Sequence, residues 1–108
     1  MKKGDIYLID LASSFGHEQF GLRPAIIVSP LVAGMIVVIP LTTNLEALCF
    51  PYTLSILLDS TNNLTQNSVA LVFQIKSIDQ KRIKKKIGSI PINNFKKLNL
   101  QMKKMLKL

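Results

Sequence analysis

Residues 23–41, RPAIIVSPLVAGMIVVIPL, contain two runs of Val, Ile and Leu separated by turn-forming residues. The first run, 24–28, ends at Ser29-Pro30, and the second, 35–41, begins after a glycine. β-Branched side chains favour strands, whereas Pro and Gly interrupt them. The runs are also shorter than the ~18 apolar residues expected of a membrane-spanning helix. They therefore predict two neighbouring, largely buried strands.

The pattern extends to both sides of this pair. Asp5 to Leu11 is strand-like, and the polar, glycine-bounded residues 13–21 are predicted to form a loop. Residues 68–75 form a nearly continuous apolar run, which predicts a strand buried on both faces. The remaining predictions are strands at 52–58 and 85–90, a turn at 59–66 and one helical turn at 79–84.

The C-terminal segment has a different period. Its apolar residues recur at steps of three or four, which marks one face of a helix, and its lysines lie largely away from that face. We therefore predict a mainly β fold over a single domain, residues 1–108: a small, strongly curved, partly closed barrel covered by one C-terminal α-helix. The apolar residues of the helix are Ile92, Phe95, Leu98, Met102 and Met105.

Composition limits the class of protein. The hydrophobic fraction is 48%, which is too high for a disordered tail. The one cysteine, Cys49, excludes an internal disulfide framework and is expected to be a small buried hydrophobe. The N-terminus shows no secretory apolar block. We therefore expect a cytoplasmic protein that does not span or bind a membrane.

Charge indicates the kind of partner. The net charge is +8, and ten of the fourteen Lys and Arg residues follow residue 80, where no Asp or Glu occurs. One strongly positive end attracts polyanions such as nucleic acid, an anionic membrane or an acidic protein. The alternative is a solvated basic face that keeps the protein soluble.

One loop, Gly16 to Pro24, concentrates reactive side chains. It holds the only histidine, His17, together with Glu18, Gln19 and Arg23. Because proline fixes φ at the start of the next strand, Arg23 is expected at a defined strand edge, where its guanidinium can bind a phosphate through two hydrogen bonds. The alternative is an Arg23–Glu18 ion pair that only stiffens the loop.

Two weaker clusters follow strands. Thr42, Thr43 and Asn44 come after the run that ends at Leu41, and Gln74 to Asp79 follows the fifth predicted strand. Each alone is more typical of strand ends than of a site. No metal-ligand spacing, carboxylate pair or phosphate-binding glycine motif occurs, so no metal and no cofactor are predicted. An enzyme acting on RNA can work without them, because the 2′-OH of RNA can serve as the nucleophile.

Together these clusters resemble the MazF/PemK family of toxins over nearly the whole chain. His17 is similar to the histidine of the Kid-like branch, to which a catalytic part has been assigned. The motifs that carry the resemblance are Lys3-Gly4-Asp5-Ile6-Tyr7, Gly16-x-Glu18-Gln19-x-Gly21-x-Arg23-Pro24, Ile39-Pro40-Leu41-Thr42, Ser68-Val69 and Gln74-Ile75-Lys76-Ser77-Ile78-Asp79.

The resemblance implies an SH3-like barrel that forms a homodimer and cleaves single-stranded RNA, leaving a 2′,3′-cyclic phosphate and a 5′-hydroxyl. It implies that Arg23 stabilises charge on the phosphorane, that Thr42 binds the scissile phosphate, and that His17 and Asp79 supply the acid–base pair. It further implies growth inhibition through mRNA cleavage, an acidic antitoxin as partner, and operator DNA bound together with that antitoxin. The residues implied to bind RNA are Lys3, Glu18, Gln19, Thr43, Gln74 and Lys76.

Three positions depart from the family pattern. Lys76 stands where relatives carry arginine, and Phe73 stands at a position that is often acidic. A third departure is Asn67, which replaces a common aspartate. Two alternatives therefore accompany the ribonuclease hypothesis: a basic nucleic-acid-binding module without catalysis, and a poison of gyrase on the same fold. Gyrase poisons of this fold depend on a C-terminal tryptophan, and this chain has no tryptophan.

Overall fold

The structure, a computed structural model, describes residues 1–11 and 21–108. In that part of the chain, seven strands form one antiparallel sheet and one α-helix follows them. The elements are β1 (Asp5–Asp10), β2 (Leu22–Ile27), β3 (Met35–Thr42), β4 (Thr53–Ile56), β5 (Ser68–Leu71), β6 (Lys76–Asp79), β7 (Ile83–Ser89) and α1 (Ile92–Leu106), with short 3₁₀ turns at Leu45–Cys49, Val72–Gln74 and Gln80–Arg82.

The strand order is β4-β5-β3-β2-β1-β7, and β6 also pairs with β3. The mainly β class and the C-terminal helix predicted from the sequence are confirmed. The sheet is not closed, however, because β4 pairs only with β5 and β7 only with β1. The β7 edge carries three consecutive exposed lysines, Lys84, Lys85 and Lys86. Charged side chains on an edge strand oppose pairing with a further strand.

Strand β3 separates two hydrophobic clusters. Ile39 and Leu41 point to the cluster that contains Leu98 of α1, whereas Ile36 and Val38 point to a second cluster with Ile9 and Ile78. This alternation follows from the two-residue period of a strand. Because β3 is buried on both faces and paired on both edges, it fixes the positions of the residues at its two ends.

The predicted strand 68–75 is wrong as one continuous element. Three steps along β3, from Val38 to Leu41, correspond to six steps on the partner segment, from Ala70 to Lys76. The extra residues leave the ladder as the 3₁₀ turn Val72–Gln74. Val72 remains fully buried while the next side chain is exposed, so the turn keeps one apolar anchor and directs its neighbours outward. Residues 68–71 are buried throughout, as predicted.

Other boundaries also differ from the prediction. The 3₁₀ turn Leu45–Cys49 was not predicted; Asn44 begins it, and its side-chain oxygen accepts a hydrogen bond from the Glu46 amide at 3.1 Å. Strand β4 is shorter than the predicted 52–58. The predicted helical turn at 79–84 is a shorter 3₁₀ turn, and β7 starts two residues earlier than expected. Cys49, expected to be buried, is exposed.

A buried amide organises the loop between β4 and β5. The side chain of Asn62 is fully buried, accepts hydrogen bonds from the amides of Asp59 and Leu64, and donates to the Leu57 carbonyl. Gly88 of β7 packs directly against this loop, because a Cβ at Gly88 would lie 2.6 Å from the Thr61 carbonyl oxygen. The absence of a side chain therefore lets the loop and the strand approach closely.

Helix α1 packs on the first cluster through one face. Leu98 is fully buried, and Phe95, Met102 and Met105 pack around it, as the sequence period predicted. Ile92, assigned to the same face, is instead 66% exposed, because it is the first residue of the helix and lies past the packed surface. Among the described residues, no helix has both the length and the apolar content required to cross a lipid bilayer.

Candidate functional site

Arg23 lies near the start of β2 and is exposed. It pairs with Ile9 of β1, so its position is fixed by the sheet rather than by the loop that precedes it. Pro24 follows it and lacks an amide hydrogen, which leaves the backbone without a donor at that point. Within residues 1–11 and 21–108, Arg23 makes no ion pair with a carboxylate.

Thr42 is the last residue of β3 and is half-buried. Strands β2 and β3 pair with Ala25 opposite Pro40, and extending this register by two residues places Arg23 level with Thr42. Directly opposed residues on neighbouring strands have Cβ atoms about 5 Å apart. The sheet therefore brings a guanidinium and a hydroxyl to the same end of two neighbouring strands.

The hydroxyl of Thr42 is oriented by its own turn. Its Oγ1 accepts a hydrogen bond from the Asn44 amide at 3.2 Å. A hydroxyl has one hydrogen and two lone pairs, so this contact occupies a lone pair and leaves the hydrogen to donate. Thr42 is thus prepared to donate to an anionic oxygen.

Thr42 forms one wall of an open cavity of about 430 Å³ at this end of the sheet. The cavity lies between the end of β3 and the two 3₁₀ turns Leu45–Cys49 and Val72–Gln74. Thr42 and Asn44 supply polar groups at the strand end, and Gln74 supplies an amide from the second turn. The aromatic rings are those of Phe50 and Phe73. Its lining residues are Thr42, Asn44, Ala47, Phe50, Leu71, Phe73 and Gln74.

Gln74 carries a buried acceptor without a partner. Its Oε1 is inaccessible to solvent, and no hydrogen-bond donor of the described residues reaches it. Gln74 also lines a second cavity of about 300 Å³ together with Phe73, Ile75 and Lys76. Lys76 is half-buried and pairs with Val38 on β3. The structure therefore places Gln74 beside Thr42, and Lys76 beside Gln74.

Three of the residues predicted to form the site, His17, Glu18 and Gln19, lie outside the described residues. The two described residues that border this segment are Leu11 and Gly21, and the Leu11 amide donates to the Gly21 carbonyl at 2.9 Å. The predicted loop therefore joins the sheet two residues before Arg23. The alternative Arg23–Glu18 ion pair also falls outside the described residues.

Asp79, Lys3 and Thr43 are not part of the cavity beside Thr42. Asp79 pairs with Met35, the first residue of β3, and its carboxylate accepts a hydrogen bond from the Lys81 amide at 2.9 Å. The Lys3 ammonium lies 5.7 Å from the centre of the Phe95 ring, on the side of α1. Thr43 is exposed immediately after β3 and does not line the cavity.

The aromatic part of the site was not predicted from the sequence. Phe50 and Phe73 meet edge to face with 5.7 Å between ring centres and 60° between ring planes. The signal for Phe73 was its departure from an acidic position in the family pattern. Nothing in the sequence pointed to Phe50, because the 3₁₀ turn that brings it to the cavity was not predicted.

Within residues 1–11 and 21–108, no three His, Cys, Asp or Glu side chains lie close enough together to hold a metal ion.

Comparison with known proteins gives the class to which this fold and site belong. The sequence profile of PemK-like, MazF-like toxins of type II toxin-antitoxin systems matches residues 2–106. The chain is 30% identical over 103 residues to the endoribonuclease MazF of Staphylococcus saprophyticus, which covers 92% of this chain and 85% of that protein. This chain therefore belongs to the PemK-like, MazF-like family of toxins.

Solved structures agree in fold. A crystal structure of MazF from Deinococcus radiodurans has a TM-score of 0.81 at 21% identity, covering 100% of this chain and 97% of that chain. An endoribonuclease from a Mycobacterial species, in complex with its cognate antitoxin, has a TM-score of 0.68 at 19% identity, covering 98% and 92% of the two chains. The open sheet with one C-terminal helix is thus the fold of MazF toxins.

Proposed function

We propose that this toxin is an endoribonuclease that cleaves single-stranded RNA at a phosphate bound between Arg23 and Thr42. The observation that carries the proposal is the register of β2 and β3, whose last pair is Ala25 and Pro40; extended by two residues, it sets Arg23 level with Thr42 at one end of the sheet. Family membership and the endoribonuclease activity named for the Staphylococcus relative support the same reaction.

In the proposed reaction the 2′-oxygen of one ribose attacks the adjacent phosphorus, and the bond from phosphorus to the 5′-oxygen breaks. The products are a 2′,3′-cyclic phosphate and a 5′-hydroxyl. One proton leaves the 2′-hydroxyl and one reaches the departing 5′-oxygen. The nucleophile belongs to the substrate, so the chemistry proceeds without a metal-bound water.

Arg23 and Thr42 are proposed to stabilise the transition state. The additional negative charge develops on the non-bridging phosphate oxygens, and a guanidinium donates two parallel hydrogen bonds to such oxygens. The Thr42 hydroxyl adds a third donor. Donors fixed before the reaction act more strongly than solvent, and each is worth on the order of 3 kcal/mol. Sheet pairing fixes both backbones here, because Arg23 pairs with Ile9 and Thr42 pairs with Val69.

For the proton transfers we propose His17 as one member of the acid–base pair, because the ordinary pKa of an imidazole lies close to neutrality. Asp79 was the other candidate. Its carboxylate begins the 3₁₀ turn Gln80–Arg82 and lies opposite the end of β3 remote from Thr42, so the geometry favours a structural role for it. Gln74 lies beside Thr42, and Lys76 lies beside Gln74; both are proposed to contact RNA.

The decisive experiment compares the Arg23→Ala variant with a matched control, Lys104→Ala. Lys104 is an exposed cation on α1 and contributes nothing to the proposed site. Each purified protein is incubated with a long RNA in EDTA, and the 5′ ends of the products are mapped. Arg23→Ala should lower the cleavage rate at least a hundredfold with thermal stability unchanged, whereas Lys104→Ala should cleave like the parent protein. Full activity of Arg23→Ala would remove Arg23 from the mechanism.

An RNA-binding assay at several salt concentrations, a gyrase–DNA trapping assay and cleavage with and without a divalent cation separate the alternatives. Salt-sensitive RNA binding without products would favour a non-catalytic nucleic-acid-binding module. Trapping of gyrase on DNA without RNA cleavage would favour a gyrase poison. Cleavage that disappears in EDTA and returns with a divalent cation would contradict the metal-independent reaction.

We further propose a homodimer in the cytoplasm, inhibited by an acidic antitoxin and bound with that antitoxin to operator DNA. The basic residues after position 80 support an acidic partner: Lys84, Lys85 and Lys86 on β7 are exposed, as are the lysines of α1. Co-expression with a small acidic protein encoded beside this gene should restore growth. Absence of such a neighbour together with harmless overexpression would contradict the toxin assignment.

A further inference from the structure

The proposed phosphate site is adjoined by two phenylalanines that the fold leaves in solvent. Phe50 is 54% exposed and Phe73 is 40% exposed. They contact each other edge to face, and both line the cavity that begins at Thr42. The exposed parts of both rings therefore border the space next to Thr42, whose hydroxyl is proposed to bind the phosphate.

Backbone hydrogen bonds hold the two segments that carry the rings. Phe50 follows the 3₁₀ turn Leu45–Cys49, and its amide donates to the Ala47 carbonyl at 3.1 Å. The Phe73 amide donates to the Tyr52 carbonyl at 3.2 Å, which ties the second turn to the segment that carries Phe50. Val72 is fully buried and anchors the turn that presents Phe73. Because the two turns are held together, the backbone that carries the two rings needs little ordering when a ligand binds.

Gln74 contributes the polar group of the same cavity. Its Oε1 is buried and has no donor among the described residues, and a buried acceptor that lacks a partner costs free energy. Gln74 as a whole is half-buried and lines the cavity, so a turn of its side chain would bring this oxygen to an N–H supplied by a ligand and remove that cost. Adenine, cytosine and guanine offer an exocyclic amine that projects from the edge of the base. The only base N–H of uracil lies between two carbonyl oxygens, which repel the amide oxygen of Gln74, so uracil is the poorer donor.

We propose that Phe50, Phe73 and Gln74 form a nucleobase subsite, in which the base next to the scissile phosphate stacks on the Phe pair and donates its amine to Gln74. The inference rests on the proposed function and adds a selectivity to it. Aromatic side chains are the usual stacking platforms for unpaired bases. A cavity of about 430 Å³ is large enough to hold one base.

Binding is tested with short RNA oligonucleotides that carry a 2′-deoxy substitution at the cleavage position, so that no cleavage occurs. The parent protein should show upfield shifts of the Phe50 and Phe73 ring protons on binding. Phe73→Leu and Phe50→Leu keep an apolar side chain but remove the ring face, and each should weaken binding about 5- to 100-fold. Leu48→Ala serves as the control. Leu48 lies in the 3₁₀ turn that precedes Phe50, is exposed and does not line the cavity.

Selectivity is tested with cleavable oligonucleotides that differ only in the base beside the scissile phosphate. The parent protein should cleave substrates with an amine-bearing base about tenfold or more faster than those with uracil. Gln74→Met removes the amide oxygen at similar volume and should reduce this ratio to near one. Unchanged binding by the two Phe→Leu variants together with unchanged selectivity of Gln74→Met would overturn the subsite.

The two proposals fail in different ways. Ring shifts on binding of the 2′-deoxy oligonucleotides, without cleavage of any RNA, would sustain the subsite and contradict the ribonuclease. Cleavage with equal rates for every base and unmoved Phe resonances would sustain the ribonuclease and contradict the subsite. Ring shifts caused by an acidic peptide but by no oligonucleotide would assign the Phe pair to a protein partner and overturn its role in base binding.

Discussion

Thr42 and Asp79 mark opposite ends of the central strand β3, because Thr42 is its last residue and Asp79 pairs with its first residue, Met35. Seven residue steps separate Met35 from Thr42, which is roughly 23 Å of strand at ~3.3 Å per residue. Two residues that the family resemblance assigned to one reaction centre are therefore separated along this strand. Two substitutions test which of them acts on the phosphate.

Thr42→Val should lower the cleavage rate about a hundredfold. Valine matches threonine in shape, so the change removes the hydroxyl donor and little else, and loss of one donor to a charged transition state has an effect of this size. Single-turnover cleavage of an RNA oligonucleotide measures the rate. Thr43→Val, at an exposed position outside the cavity, provides the matched control. Equal losses in both variants would contradict a specific role for Thr42.

Asp79→Asn should leave cleavage within about threefold of the parent rate. Asparagine begins helical turns as well as aspartate does, so the hydrogen bond to the Lys81 amide is retained while the charge is lost. The pH–rate profile is measured alongside the rate at one pH. A hundredfold loss of cleavage rate, or disappearance of one limb of the pH–rate profile, would show that Asp79 is a member of the acid–base pair.

Gly88→Ala should destabilise the protein by on the order of 2–3 kcal/mol, the usual effect of overpacking. The new Cβ would lie 2.6 Å from the Thr61 carbonyl oxygen, which itself accepts a hydrogen bond from the Ser89 amide. This oxygen belongs to the backbone and cannot rotate away as the end of a side chain could. Urea unfolding measures the difference, and Ser89→Ala on the same strand is the control. Equal stability of Gly88→Ala and the parent would show that the loop shifts without cost.

Leu98→Ala should destabilise the protein by about 2–5 kcal/mol, whereas Leu100→Ala should change stability by no more than about 0.5 kcal/mol. The two substitutions are chemically identical and lie on one helix. Leu98 is fully buried in the cluster under α1, and Leu100 is 51% exposed. Thermal unfolding of both variants checks the expectation. A larger effect at Leu100 would indicate that this face of α1 is covered in solution.

Much of the fold was predictable from local pattern. The runs that form β1, β2 and β3 and the helical period of α1 appear in the sequence because each element buries a regular set of side chains. The break between β5 and β6 was not predictable in this way. Residues 68–75 are apolar almost throughout, and only pairing with β3 shows that three steps on one strand face six on the other.

The candidate site was also predictable only in part. Arg23, Thr42 and Gln74 were selected from their residue types and from the family resemblance. Their arrangement was not, because cross-strand register depends on residues distant in sequence. Phe50 is the clearest example: it lies 23 positions from Phe73 and meets it only because two 3₁₀ turns converge.

The sequence by itself determined the β-rich class, the C-terminal helix, the basic C-terminal region and the polar residues that suit a phosphate, because composition and periodicity are local properties. Only the tertiary structure decided that the sheet stays open, that Asp79 and Thr42 lie at opposite ends of β3, and that two phenylalanines adjoin the proposed phosphate site. These features depend on which strand edges pair and in which register. That choice is made by packing of the whole chain, not by any one segment.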